Sequence, residues 1–196
     1  MKKQPDRRIR RTRALLRHGL AQLMQTKSVN EATVKELVEL VDINRSTFYL
    51  HYTDIYNLLE SIENELYDEL EHTIHDHPVS PFNQNSFEPI EDIFRILFEN
   101  REICNALLGP NGDIGFLHRI ESMISDHCLN ALRQAYPEQI DNITYIYSFC
   151  MSGCVGLIKN WLAGDCAESA SKMAQLTFWL IMNTVSDLYP HDLNPK

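Results

Sequence analysis

The spacing of the apolar residues constrains this sequence more than any other feature. Apolar residues recur every three or four positions through most of the 196 residues, which is the spacing of an amphipathic helix. In the first such segment, residues 6–25, one face carries Ile9, Leu16, Leu20 and Leu23. No segment shows the period-two alternation of a half-buried strand, and the chain has no internal repeat. The sequence therefore predicts an all-α protein.

Local helix signals divide the chain into about nine helices. Thr33 with Glu36 three residues later has the spacing of a capping box, and Asn44 can cap a short helix after a tight turn. The proline-containing stretch 77–89 predicts a loop, and residues 109–113 predict a turn. The expected helices cover residues 6–25, 34–41, 45–51, 54–75, 90–100, a short segment ending at 108, 114–135, 138–163 and 169–188.

Charge is distributed unevenly along the chain. Residues 1–58 contain 11 Lys and Arg against 6 Asp and Glu, a net charge of +5, within a total of −9. The other 138 residues contain 7 basic and 21 acidic residues, a net charge of −14. A basic end on an acidic body indicates that one end of the protein meets a polyanion. Charge alone equally fits a solvated helix, so the interpretation depends on the motif that follows.

Residues 33–51 have the parts of a helix-turn-helix. A short helix with an apolar stripe (Val34, Leu37, Val38, Val41) is followed by a sharp turn and a second short helix. Phe48 can turn inward, which leaves hydrogen-bonding side chains on the other sides of the second helix. Arginine can bind guanine bidentately, and serine or threonine can bind a base edge or a phosphate. Arg45, Ser46 and Thr47 are therefore candidates for base readout. The competing interpretation is an ordinary αα-hairpin within a core.

The stretch from Leu37 to Tyr52, LVELVDINRSTFYLHY, resembles the DNA-binding signature of the TetR (tetracycline-repressor) family. That pattern reads approximately I-A-x-x-A-G-V-S-x-G-T-L-Y-x-H-F. Identical residues stand at Thr47, Tyr49 and His51, and conservative variants at Ile43, Asn44, Phe48 and Tyr52. The resemblance implies a homodimeric, DNA-binding transcription regulator. It also implies an N-terminal helix-turn-helix domain, residues 1–53, and a C-terminal helical dimerisation and regulatory domain, residues 54–196.

The resemblance implies roles for particular residues. Thr33, Tyr49 and His51 would hold phosphates, which positions the protein without reading sequence. Arginines at the start of the first helix would contact the DNA backbone or minor groove. The expected DNA-binding set is Arg7, Arg8, Arg10, Thr33, Asn44, Arg45, Ser46, Thr47, Tyr49, His51 and Tyr52.

Three positions depart from the family pattern. Asp42 replaces the usual turn glycine, although aspartate tolerates a left-handed backbone better than most residues. Ser46 replaces a glycine and adds a hydroxyl. Ile55 stands in place of a lysine that commonly binds phosphate. The family pattern therefore defines the phosphate contacts of this chain less completely than it defines the fold.

The last two helices each have an apolar seam, and the last helix is also apolar on a second side, which predicts a partner beyond its own domain. One seam is formed by Ile140, Ile143, Tyr147, Cys150, Cys154, Leu157 and Trp161, with Gly153 and Gly156 as points of close approach. The expected dimer interface consists of Tyr147, Cys154, Leu157, Phe178, Ile181 and Val185. A second copy supplying the same helix pair would give a four-helix interface. A wholly intramolecular core is the alternative.

The segment 152–162 is similar to the C-terminal domain of a branch of this family common in low-GC Gram-positive bacteria. The family resemblance also implies an effector cavity between the middle helices. Its candidate lining is Phe94, Phe98, Cys104, Phe116, His118, Tyr145, Phe149 and Trp161. Most of these aromatics would equally serve as ordinary core. An effector would act by favouring a state whose recognition helices are mis-spaced for the operator.

Three functions remain open: a ligand-responsive regulator, most simply a repressor; a regulator whose C-terminal domain binds a partner protein; and a helical enzyme. Enzymatic motifs are not found, and no cofactor or metal is expected. The neighbouring histidines His72, His75 and His77 are interpreted as a solvated helix end, and Cys150 and Cys154 as buried thiols. An odd number of cysteines, five, and no secretory or membrane-spanning segment favour a cytoplasmic location.

Overall fold

The computed structural model describes residues 7–76, 87–135 and 140–186. Within these ranges the chain forms nine α-helices and no strand, which confirms the predicted all-α fold. The helices are α1 (Arg7–Met24), α2 (Val34–Leu40), α3 (Arg45–Tyr49), α4 (Ile55–Asp76), α5 (Phe87–Glu99), α6 (Arg101–Leu108), α7 (Ile114–Ala135), α8 (Ile140–Ala163) and α9 (Ala170–Ser186).

Two details differ from the expected helix boundaries. The break after α1 contains one turn of 3-10 helix, Val29–Glu31. Helix α5 begins at Phe87, three residues before the expected start, and so includes Pro89 in its first turn. A proline is tolerated there because the first-turn amides have no intrahelical acceptor. The proline was therefore wrongly interpreted as part of the loop.

The chain divides into two compact units. The first contains Met1–Asp68 and Asn100–Leu117, and thus α1 to α3, most of α4, and α6. Its core is formed by Leu16, Leu20, Leu37, Phe48, Leu58 and Ile103, all fully buried. Helix α1 packs against both α2 and α6.

Helix α6 joins the first unit through polar contacts with α1. The Arg17 guanidinium donates to Asn100 Oδ1 at 2.7 Å. The imidazole Nδ1 of His18 lies 2.6 Å from Glu102 Oε2. The expected domain boundary at residues 53/54 therefore differs from this division, because α6 follows the boundary in sequence yet packs with α1.

The second unit contains Glu69–Glu99 and His118–Lys196. Within it α5 runs along α9, and α8 packs against α9. Two ring contacts join α5 to the C-terminal helices: Phe94 meets Trp161 edge to face at 5.3 Å, and Phe87 meets Phe178 at 6.1 Å. None of the helices in the described ranges combines the length and apolar character needed to cross a membrane.

Candidate nucleic-acid interface

The supporting helix α2 begins at the predicted capping box. Thr33 occupies the N-cap with an extended backbone, and its hydroxyl accepts the Glu36 N–H at 3.3 Å. The Glu36 carboxylate in turn accepts the Thr33 N–H at 3.0 Å and the Thr33 hydroxyl at 2.8 Å. Lys27 Nζ donates to the other carboxylate oxygen at 2.6 Å. The bond from Lys27, followed by those from Thr33, lowers the Glu36 pKa from 4.5 to about 2.

This capping box bears on the phosphate role expected for Thr33. Both the hydroxyl and the backbone N–H of Thr33 donate to Glu36 Oε2. A phosphate at this site would have to compete with a carboxylate for the same two donors, and the negative charge of Glu36 would repel it. The role of Thr33 in this structure is to begin α2.

The turn between α2 and α3 has the left-handed backbone expected of it. Asp42 has a φ of 52°, in the region where glycine usually stands. The Ile43 N–H then bonds the Val38 carbonyl at 3.0 Å, which closes the end of α2. Asn44 takes the N-cap position of α3 with its backbone, while its side chain makes no capping bond within the described residues.

An aromatic cluster fixes the orientation of α3. Phe48 is fully buried, as predicted. Its ring meets Tyr49 edge to face at 5.4 Å and lies 5.9 Å from the ring of Tyr52. Because Phe48 points inward, the remaining sides of α3 face away from the core. Arg45, Ser46 and Tyr49 are exposed there, and Thr47 and His51 are partly exposed.

The side chain of Tyr52, a residue expected to contact DNA, lies mostly in the core of the first unit. Its side chain is buried between Phe48 and α4 and makes a side-chain hydrogen bond with Ser61. Burial raises the pKa of its hydroxyl. Tyr52 thus holds the end of α3 against α4, and its aromatic ring is core.

The basic start of α1 is exposed. Arg7, Arg8 and Arg10 all lie on the surface of the first unit. They are available as positive charge for a polyanion, as the sequence predicts.

The start of α4 differs from the phosphate-binding position that the family pattern places there. Ile55 is buried. Asp54 caps the helix by accepting the Asn57 N–H at 2.8 Å. Beside it the Tyr56 hydroxyl donates to Asn30 Oδ1 at 2.9 Å, which ties α4 to the 3-10 turn. A carboxylate cap and a buried isoleucine give no cationic phosphate ligand here.

The residues expected to line an effector cavity fall into separate groups. Phe94, Phe98 and Trp161 form one aromatic cluster in the second unit, and the Trp161 indole N–H donates to the Glu168 carbonyl at 2.9 Å. Cys104 and Phe116 are buried in the first unit, whereas His118 is exposed in the second.

Tyr145 and Phe149 do not line an interior cavity of this chain, because they are 78% and 69% exposed. They share one side of α8 with Gly153 and Gly156, at which an added Cβ would meet no atom within 4 Å. Helix α9 also has exposed apolar residues, namely Leu176, Trp179 and Leu180. The last two helices therefore leave a set of apolar side chains uncovered, which we call the exposed α8/α9 face (Tyr145, Phe149, Leu176, Trp179 and Leu180).

Several residues expected at the dimer interface also have contacts within their own chain. The Tyr147 hydroxyl donates to the Glu121 carbonyl of α7 at 3.4 Å, and burial raises its pKa to about 12. Phe178 contacts Phe87 of α5. Burial, with Cys150 and Cys128 nearby, raises the pKa of Cys154 to about 11. Leu157 and Ile181 are half-buried, and the side chain of Val185 lies outside the described part of the structure.

The sites set aside in the sequence remain without a functional arrangement in the described ranges. No group of three or more His, Cys, Asp or Glu residues there is placed to hold a metal ion. His77 lies outside the described residues. A thiol with a pKa near 11, such as Cys154, is protonated at neutral pH and is a poor nucleophile.

The C-terminal half of the chain matches a known family. A family model described as "Transcriptional regulator C-terminal region", TetR_C_8, matches residues 84–183. No curated protein is similar enough in sequence to be matched to this chain.

Several solved structures share the fold at low sequence identity. The chain is similar to the dihydroxyacetone kinase operon activator DhaS (TM-score 0.57, 16% identity, covering 90% of this chain and 97% of that one). It is also similar to the fatty acid degradation regulator FadR from Bacillus halodurans (TM-score 0.58, 12% identity, covering 100% of both chains). A third similar structure is a TetR transcriptional regulator from Streptococcus agalactiae 2603V (TM-score 0.55, 24% identity, covering 90% of this chain and 96% of that one).

Proposed function

The chain belongs to the TetR family of DNA-binding transcriptional regulators, and we propose that it binds a palindromic operator as a homodimer and represses transcription. The observation that carries this proposal is the arrangement of α3. Its one large apolar side chain near the middle, Phe48, is buried, and Arg45, Ser46 and Tyr49 are exposed beside it. A helix held in this way can enter the major groove with its hydrogen-bonding side chains facing the bases.

The positive charge at the start of α1 supports the same proposal. Arg7, Arg8 and Arg10 are exposed at the start of α1, close in sequence to the helix-turn-helix. Phosphate contacts of this kind dominate affinity and release counterions from DNA. Since the DNA of a bacterial cell lies in the cytoplasm, the proposed location is cytoplasmic.

Dimerisation is supported by the exposed α8/α9 face. Exposed apolar side chains on two neighbouring helices are costly in water and are typical of an interface. A second copy that contributes the same face would cover them with twofold symmetry. Binding of a palindrome by such a dimer requires its two recognition helices to lie about 34–36 Å apart, one turn of DNA.

Release by a small-molecule effector is the regulatory part of the proposal. It is supported by the cluster of Phe94, Phe98 and Trp161, aromatic side chains of the kind that line sites for apolar ligands. The chain has two tryptophans, Trp161 and the exposed Trp179. A Trp179→Phe variant isolates the fluorescence of Trp161, which should change when an effector binds and remain constant when a compound acts elsewhere.

Activation through a partner protein is the second candidate. The exposed apolar face favours it, because that face could accept another protein, and DhaS, which shares the fold, is described as an operon activator. A reporter gene behind the selected operator separates the two: repression lowers expression when the protein is present, and activation raises it.

The test of the proposal is selection of binding sites from a random DNA pool, followed by affinity measurements across salt concentrations. We expect a palindromic site and a steep loss of affinity with salt. Arg45→Ala should relax the preference at one position per half-site and cost about 1–3 kcal/mol. Tyr49→Phe should weaken binding to all sequences alike.

Arg95→Ala is the matched control, because it also removes one exposed positive charge, but from α5 of the second unit. It should leave both the site and the affinity unchanged. A random pool without enrichment at low salt would contradict the proposal, and an unchanged site for Arg45→Ala would remove Arg45 from base readout.

A further inference from the structure

Leu50 is the most exposed large apolar residue in the described ranges, with 81% of its surface accessible. It directly follows Tyr49, the last residue of α3. Leu50 is not among the residues expected from the sequence to contact DNA, because a leucine side chain has no hydrogen-bonding group. A single exposed leucine is ordinary on a protein surface; what distinguishes Leu50 is its position at the end of the recognition helix.

The backbone places Leu50 on the outermost line of the recognition helix. Leu50 has helical dihedral angles, φ −72° and ψ −18°, and its N–H bonds the Ser46 carbonyl at 3.2 Å. It therefore continues the turn of α3. Successive residues of a helix are rotated by about 100°, so Ser46 and Leu50 each lie roughly 160° from the buried Phe48.

This geometry makes Ser46 and Leu50 the midline of the outward side of α3. Thr47 and Tyr49 lie about 100° from Phe48, one on each flank, and Arg45 and His51 lie about 60° from it. When Phe48 faces the core, the midline residues reach deepest into whatever groove the helix enters. Ser46 and Leu50 are exposed, as this geometry predicts, and so are Arg45 and Tyr49, whereas Thr47 and His51 are only partly exposed.

A leucine on that line cannot hydrogen-bond to a base or a phosphate. The major groove offers one apolar feature, the C5-methyl group of thymine. We propose that Leu50 reads the methyl group of a thymine in each half-site of the operator; this rests on the proposed function. A four-residue step along a helix is about 6 Å, so this thymine lies about two base pairs from the position that Ser46 faces.

The test uses the operator selected by the full-length protein. Each thymine is replaced in turn by deoxyuridine, which removes the methyl group and keeps every hydrogen-bonding atom. At one thymine position per half-site, this replacement should lower the affinity of the wild-type protein for the operator about fourfold. A loss of this size corresponds to the burial of about one methylene-sized group. Leu50→Ala should bind the thymine and deoxyuridine sites equally.

Ser46→Ala is the matched control, because it changes the neighbouring midline residue and should keep the deoxyuridine effect. The melting temperature of Leu50→Ala should equal that of the wild type, since the side chain has few contacts to lose. The proposal is overturned if no thymine methyl affects binding, or if the effect persists in Leu50→Ala. It is also overturned if Leu50→Ala changes the oligomeric state and not the thymine preference.

The outcomes separate this proposal from the proposed function. A wild-type protein that selects a palindrome with no methyl-sensitive thymine retains the function and loses the role of Leu50. A wild-type protein that selects no DNA loses both.

Discussion

Gly19 lies at the closest approach of α1 to α2. A Cβ at this position would clash with Val41 Cγ1 and would stand 2.8 Å from Leu37 Cδ1. In an exposed helix, glycine to alanine stabilises by about 1 kcal/mol, but here the clash should prevail. We expect Gly19→Ala to destabilise the protein by about 1–3 kcal/mol, the usual cost of overpacking, measured by urea unfolding.

Val41 provides the control for Gly19. Val41→Ala removes the atom that the new methyl group would meet, so the double variant Gly19→Ala/Val41→Ala should lose less stability than the two single changes added together. Strict additivity of the two changes would mean that the contact between α1 and α2 does not set the requirement for glycine.

Asp42 carries the strain of the helix-turn-helix turn in its left-handed backbone. Alanine disfavours this region and glycine does not. Asp42→Gly should therefore be more stable than Asp42→Ala by roughly 1 kcal/mol, as measured by thermal unfolding. Glu60 is an exposed residue within α4 and serves as the control. There the order should be reversed, with Glu60→Ala more stable than Glu60→Gly. The same order at both positions would argue against strain at Asp42.

The capping box of α2 makes its stability depend on pH. The pKa of Glu36 is lowered from 4.5 to about 2 in the folded protein, first by the bond from Lys27 and then by Thr33. A carboxyl group that binds protons less tightly when folded contributes stability above its unfolded pKa and loses it as the pH falls toward the folded value.

Glu36→Gln removes the charge and keeps the side-chain shape. Wild type should exceed this variant in melting temperature at neutral pH, and the difference should shrink between pH 4.5 and pH 2. Glu39→Gln is the control, since Glu39 also faces a lysine of α2, Lys35, but at 4.0 Å and well exposed. A constant difference across that range would show that the Glu36 charge does not stabilise α2.

Features of the helices that depend on residues close together in the sequence could be predicted from the sequence. The start of α2 follows from Thr33 and Glu36, three residues apart, and the inward side of α3 follows from Phe48. The placement of α6 could not be predicted, because it depends on contacts such as Arg17 to Asn100 between residues 83 positions apart.

The exposed side of α8 could not be predicted for a different reason. Tyr145 and Tyr147 are both apolar enough to face a core, and the helix is apolar around most of its circumference. Which side is covered depends on α7, which Tyr147 contacts through Glu121. The role proposed for Leu50 could not be predicted, because an apolar residue type gives no sign of a DNA contact.

At the scale of the whole molecule, the two parts of the chain carry opposite charge. Residues 1–58 carry a net charge of +5 and the rest −14, which favours an approach to DNA by the basic N-terminal segment. The acidic residues would repel a second copy, so the proposed dimer would depend on apolar contact more than on charge.

The exposed α8/α9 face is therefore expected to hold the dimer together. Phe149→Glu adds a charge to the centre of that face on a side chain that is 69% exposed. It should leave the fold intact and produce monomers in sedimentation experiments at micromolar concentration. Affinity for the palindrome should fall to that for one half-site, since the second recognition helix is no longer tethered.

Two further substitutions locate the interface. Ser122→Glu adds the same charge to an exposed position of α7 and should remain dimeric with normal affinity. Phe178→Glu disrupts the ring contact with Phe87 inside the chain and should lower the melting temperature. If Phe149→Glu remained dimeric, the copies would meet elsewhere, and the exposed face would be left for a partner protein. A monomer that keeps its melting temperature would instead identify this face as the surface through which two copies bind one operator.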